Sequence, residues 1–161
     1  LNLKLSNKKD FYEFSEIVGN AYSASSGSRE INYAIGEVLS SNTRSRFRHG
    51  KGPDGKKWKQ SIRSKIDGNS TLYKTGTLRS SIGFSSDSKT VKIGTNLIYA
   101  KIHQLGGVIK AKTARFLVFK IGNKFIRKKQ VEIPARPFLG ISIDDKKDIL
   151  QIIKDYLRGK K

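Results

Sequence analysis

The stretch that decides the fold is Arg115-Phe116-Leu117-Val118-Phe119-Lys120-Ile121-Gly122-Asn123-Lys124-Phe125-Ile126-Arg127-Lys128-Lys129-Gln130-Val131. Arg115–Ile121 is an apolar run of β-forming residues, and Gly122-Asn123 is a two-residue hairpin signal. Phe125–Val131 is then the returning strand, carrying Arg127, Lys128 and Lys129 outward. Upstream, Ile82–Ser86 and Thr90–Gly94 predict two short strands around a turn at Asp87-Ser88. Val91 and Ile93 alternate there with Lys92, as in a half-buried strand. Downstream, Glu132–Ile143 continues extended, with Pro134 and Pro137 suiting an edge strand or a bend.

Helical patterns flank these strands. Phe11, Phe14, Ile17, Val18, Ala21 and Tyr22 share one face of a helix over Asp10–Ala24, with Asp10 and Glu13 as a capping-box-like start. After a small-residue break at 23–28, a second helix over Arg29–His49 carries Ile31, Ala34, Ile35, Val38 and Leu39, and stops at Gly50. Arg44, Arg46, Arg48 and His49 crowd its last turns, where cations suit the helix dipole. Thr75–Ile82 predicts a short helix, and Ile98–Leu105 a helical turn ending at Gly106-Gly107. Ser61–Asn69 is polar and expected to be irregular. The last helix repeats apolar positions at Ile149, Leu150, Ile152, Ile153, Tyr156 and Leu157, with Asp144 and Asp145 at its positive end and Arg158, Gly159 and Lys160 at its negative end. The prediction is an α+β fold: a small, mainly antiparallel sheet with N-terminal helices and a C-terminal amphipathic helix. Residues 1–50 form a helical segment and 51–161 an α+β domain, together one compact unit. Leu1 rather than methionine opens the sequence, so the true start is left open.

Composition narrows the chemistry. The 161 residues include no cysteine, which excludes disulfides, thiolate metal sites and cysteine nucleophiles. His49 and His103 are the sole histidines, too few for a His-rich metal site, and neither lies by a nucleophile elbow. There is no phosphate-cradling GxxxxGK[ST] loop. No apolar run approaches the roughly 20 residues of a membrane span, so no membrane partner is expected.

Charge is the strongest signal. The chain holds 33 Lys and Arg against 13 acids, a net charge of +20. Residues 1–40 contain four cations and five acids, so the excess lies beyond them. Residues 88–131 carry eleven cations and no acid. Lys110, Lys112, Arg115, Lys124, Arg127, Lys128 and Lys129 form a candidate basic surface: either a solvated face or one that meets DNA, RNA or an acidic protein.

Four short signatures follow in order. They are Pro53-Asp54-Gly55 with Trp58; Leu72-Tyr73-Lys74-Thr75-Gly76-Thr77-Leu78-Arg79-Ser80-Ser81-Ile82; Ile93-Gly94-Thr95-Asn96 running to Tyr99-Ala100-Lys101-Ile102-His103-Gln104-Leu105-Gly106-Gly107; and Ile133-Pro134-Ala135-Arg136-Pro137-Phe138-Leu139-Gly140. From about Arg46 to Gly140 this series resembles the phage virion morphogenesis family, the tail completion proteins of Mu-like and related tailed phages. The resemblance implies a structural protein that acts late in assembly at the head-proximal end of the tail, in the virion's tail or neck, with no catalysis and no cofactor. A homo-oligomeric ring, six copies on tail symmetry, is the expected form, with neighbouring tail and head-connector proteins as partners and non-specific contact with DNA. The lysines of 110–130 lie in an insertion that varies in the family, and the resemblance assigns them no role.

Physical readings accompany each motif. Thr75 or Thr77 suits a helix cap, and Arg79 either completes a packed turn or reaches a neighbouring subunit. Trp58 anchors its loop on the core or on a partner. In Pro134–Leu139 the two prolines stiffen the backbone, Arg136 presents a planar fork, and Phe138 is a large apolar anchor. That segment is either an interface or a rigid edge packed within its own domain. The candidate interface residues are Arg46, Trp58, Arg79, Tyr99, His103, Gln104, Arg136 and Phe138. A basic nucleic-acid-binding module is the alternative function. An enzyme is disfavoured, because no nucleophile or orienting carboxylate lies near His103 in sequence.

Overall fold

Gly50 sits at φ 64°, a left-handed conformation that costs an L side chain energy and ends a helix, and the helix it ends is the longest among the described residues. The computed structural model describes residues 29–112 and 114–159. The expected helix over Asp10–Ala24, and Lys160, lie outside them. The helices are α1 (Arg29–His49), α2 (Ile62–Asp67), α3 (Thr77–Ser80), α4 (Ala100–Leu105) and α5 (Ile143–Arg158). The strands are β1 (Gly83–Ser86), β2 (Val91–Gly94), β3 (Gly107–Lys110), β4 (Leu117–Ile121), β5 (Lys124–Lys128) and β6 (Gln130–Ile133). This is the expected α+β architecture: among the described residues the strands form three antiparallel two-stranded ladders, β1–β2, β3–β6 and β4–β5, with one isolated bridge between Lys51 and Lys57. No helix of the described residues is long and apolar enough to cross a membrane.

The chain divides into two compact units interleaved in sequence. Among described residues, one takes 29–44, 82–94 and 139–159, and the other takes Ser45–Ser81 and Thr95–Phe138.

The first unit is organised by the stripe of α1. Ile31, Ile35 and Leu39 recur at helical spacing and meet Val91 of β2 and Ile149 and Ile153 of α5 in one apolar cluster. Gly36 is required there, because a Cβ would stand 2.1 Å from the Phe84 ring. Helix α5 begins with a full capping box: the Ser142 hydroxyl accepts from Asp145 N, and Asp145 accepts from Ser142 N. Asp145 is fully buried, and Asn42 Nδ2 donates to it at 2.8 Å and to Asp148 at 2.8 Å.

Two expectations are corrected in the second unit. Ser61–Asn69 is not irregular: Ile62–Asp67 is a helical turn and a half, started by the Ser61 hydroxyl accepting from Ser64 N and stopped by Gly68 at φ 69°. Capping orders it without an apolar stripe, since Ile62 and Ile66 are exposed. The return strand predicted over Phe125–Val131 is likewise broken. The hairpin runs from Ile121↔Lys124 to Leu117↔Lys128, where β4 ends, and Gln130–Ile133 turns instead to pair with Gly107–Lys110. The two-residue turn at Gly122-Asn123 is as expected, with Gly122 at φ 56°.

Candidate functional site

Two prolines deprive the segment Ile133–Phe138 of backbone donors, so its ordering depends on what its carbonyls and remaining N–H groups find. In the second unit they find side chains from three other stretches. Arg46, in the last turn of α1, donates Nη1 to Phe138 O at 2.8 Å. The indole N–H of Trp58 donates to Pro137 O at 2.8 Å. Gln104 of α4 accepts from Phe138 N at 2.9 Å, and His103 O accepts from Arg136 N at 2.7 Å. Arg136 in turn donates Nε to Lys59 O at 2.7 Å.

Aromatic packing closes the clamp. The Phe47 ring lies 5.4 Å from Trp58, edge-on, and 5.3 Å from Phe138. Phe47 and Phe138 have no exposed surface. Trp58 is delivered by the Gly50–Gly55 turn, in which Gly52 N bonds Lys56 O and Trp58 N bonds Gly50 O, each at 2.8 Å. Gly106, at φ 71°, passes so close that a Cβ would stand 2.7 Å from Ala135 N.

The structure thus gathers six of the eight singled-out residues at one place: Arg46, Trp58, His103, Gln104, Arg136 and Phe138. Arg46, Trp58, Arg136 and Phe138 are buried and hold the proline segment from within the unit. Arg46, Trp58 and Arg136 can be buried because each donates a side-chain N–H to a backbone carbonyl inside the unit. Arg79 sits apart, half-buried, its guanidinium 5.9 Å from the centre of the Tyr73 ring. Neither threonine caps α3 strongly. Gly76, at φ 79°, is the residue before it, and Thr75 pairs its hydroxyl with that of Thr77 at 2.7 Å. Tyr99 is exposed and meets His103 edge-on at 6.2 Å.

His103 is half-buried, with Nδ1 shut from solvent and without a hydrogen-bond partner. Burial, and secondarily the Arg136 charge, hold its pKa below the ordinary 6.5. Burial likewise pushes the Arg136 pKa below its usual value. Among the described residues no group of three or more His, Asp or Glu could hold a metal ion. A wider cleft of about 520 Å³ is lined by Arg48, His49, Lys57 and Lys65, with Trp58 in its wall.

All seven residues of the candidate basic surface are exposed. The ion pairs of the described residues, Arg63–Asp67, Lys147–Asp144 and Arg158–Asp155, involve none of them. With Thr113 set aside, the second unit holds twenty Lys and Arg against three acids, so most of the +20 is here.

Phe47, Gly106 and the carbonyl of Lys59 were missed by sequence reasoning. Phe47 had a signal, being one i+8 step beyond Leu39 on the α1 stripe. Gly106 and the carbonyl had none, since close backbone approach leaves no pattern in one sequence.

Fold and site together define a basic α+β protein whose most heavily bonded feature is a short proline-containing segment. The chain belongs to the phage virion morphogenesis family, whose profile matches residues 10–158. Over 94 residues it is 37% identical to the Mu-like prophage FluMu G protein 2 of Haemophilus influenzae (strain ATCC 51907 / DSM 11121 / KW20 / Rd). That match takes in 58% of this chain and 56% of the relative, so the chain spans little more than half of that protein's length. No solved structure matches. Membership gives the protein a structural role in phage virion assembly.

Proposed function

We propose that the protein completes the phage tail and makes it competent to join the head, as a homo-oligomeric ring of about six copies at the head-proximal end, six following tail symmetry. Its partners are further copies of itself and the adjoining tail and head-connector proteins, met in the host cytoplasm during assembly and kept in the tail or neck of the virion. No bond-making step and no cofactor belong to this reading. The observation that carries it is the uncovered apolar surface of the second unit. Ile98 is 96% exposed, Phe125 75% and Leu105 66%, and Val118 and Phe125 stand on a hairpin of only two strands. Such ribbons are marginal alone and gain most from being covered. A ring needs two different patches on each copy that meet head to tail.

Sedimentation mass across a concentration series tests this. A closed oligomer that forms as concentration rises is the expected result, and a monomer at every concentration contradicts the ring.

The exposed basic residues favour a second, compatible reading, contact with DNA passing the junction. Binding to duplex DNA is then blind to sequence and weakens steeply with salt. Affinity unchanged between two salt concentrations contradicts it.

A further inference from the structure

Three unexplained features of the second unit fall on one recess. A cavity of about 230 Å³ is lined by Arg63, Lys74, His103 and Arg136, and no acidic side chain lines it. Arg63 Nη1 and His103 Nδ1 are buried nitrogens without a hydrogen-bond partner. Leu72, in the wall, is held at φ 64°, a conformation uncommon for a non-glycine residue and costly unless the surroundings impose it.

We propose that this recess receives the side-chain carboxylate of an aspartate or glutamate on a neighbouring virion protein. The choice of neighbour rests on the assembly role proposed above; the carboxylate chemistry does not. Arg63 is held by Nη2 donating to Ser70 O at 3.2 Å, while Asp67 stands 3.8 Å from Nη1, beyond hydrogen-bonding reach. Arg136 is anchored through Nε to Lys59 O. The guanidinium groups are therefore fixed before any ligand arrives, which removes much of the ordering cost of binding. A carboxylate brings two oxygens that only accept, matching a recess rich in donors and poor in acceptors. With the recess empty, burial and Arg136 disfavour a charge on His103, and an entering anion reverses that.

Shape separates a side chain from a DNA backbone. A phosphodiester is flanked by sugars on both sides and cannot push one phosphate into a narrow recess. An acidic side chain ends in a free tip, and its methylene groups can lie against Leu72 and Leu78 of the same wall.

The test uses the whole chain and sodium propionate, a mimic of the glutamate side chain, read by long-range proton–nitrogen NMR of the imidazole rings. With only His49 and His103 present, the second histidine is an internal control. Propionate is expected to move the His103 nitrogens saturably and leave His49 still. Arg63→Met and the exposed Lys74→Met each weaken that binding at least tenfold, with Trp58 fluorescence confirming the fold. An unmoved His103, or binding by either variant as tight as the parent chain's, overturns the proposal. So does inorganic phosphate or duplex DNA that saturates His103 at lower concentration than propionate. None of these readouts needs a ring, so this inference and the oligomer reading fail separately.

Discussion

Phe138 has no exposed surface and sits against Phe47 at the centre of the clamp, so truncating it removes apolar burial and leaves a void. Phe138→Ala is expected to cost about 3–5 kcal/mol, read as a fall in the urea midpoint. Trp58→Phe keeps most of the packing but strips the donor from Pro137 O, for about 1–3 kcal/mol in the same measurement. His103 gives a pH signature. Its folded pKa lies below 6.5, so the unfolded chain binds its proton more readily. Its contribution is therefore intact above pH 6.5, shrinks as pH falls through the unfolded value, and levels off below the folded one. Urea midpoints at pH 8 and pH 5, followed by Trp58 emission, are expected to differ less in His103→Gln than in the parent chain. An equal difference contradicts the assignment. At this scale the sequence leaves the direction of Arg136 and Phe138 open, outward or inward. The Lys59 carbonyl turns Arg136 in, and the Phe138 ring is buried against Phe47.

The elements were more legible, because periodicity and caps are local. The stripe Ile31-Ile35-Leu39 and the stop at Gly50 place α1, and the apolar repeat from Ile149 places α5. Where a cap acted without a stripe, as Ser61 does for α2, polarity was mistaken for irregularity. Strand partners were harder: β6 leaves the hairpin for β3 because β4 is exhausted at Leu117, a fact of three-dimensional register. The first unit offers two checks. Ser142→Ala removes the hydroxyl that accepts from Asp145 N and is expected to cost about 1 kcal/mol. Gly36→Ala drives a methyl into the Phe84 ring and is expected to cost about 1–3 kcal/mol through overpacking. Both are read in thermal denaturation, and a neutral Gly36→Ala would mean that Phe84 moves aside without penalty.

For the whole molecule, the family gives a part in virion assembly, as the four ordered signatures led one to expect. The charge imbalance was visible in the sequence, and so was the acid-free run 88–131. That Lys120, Lys124, Arg127 and Lys128 stand exposed on one two-stranded ribbon with uncovered Val118 and Phe125 was not. A surface of this kind is expected to bind like charge poorly and to associate through its apolar patches once its partners are at hand. The most direct measurement is electron microscopy of particles made by the encoding phage with this gene deleted, and again with it restored. Filled heads and separate full-length tails, rejoined on restoration, are the predicted result. Intact tailed virions assembled in its absence would contradict the junction role.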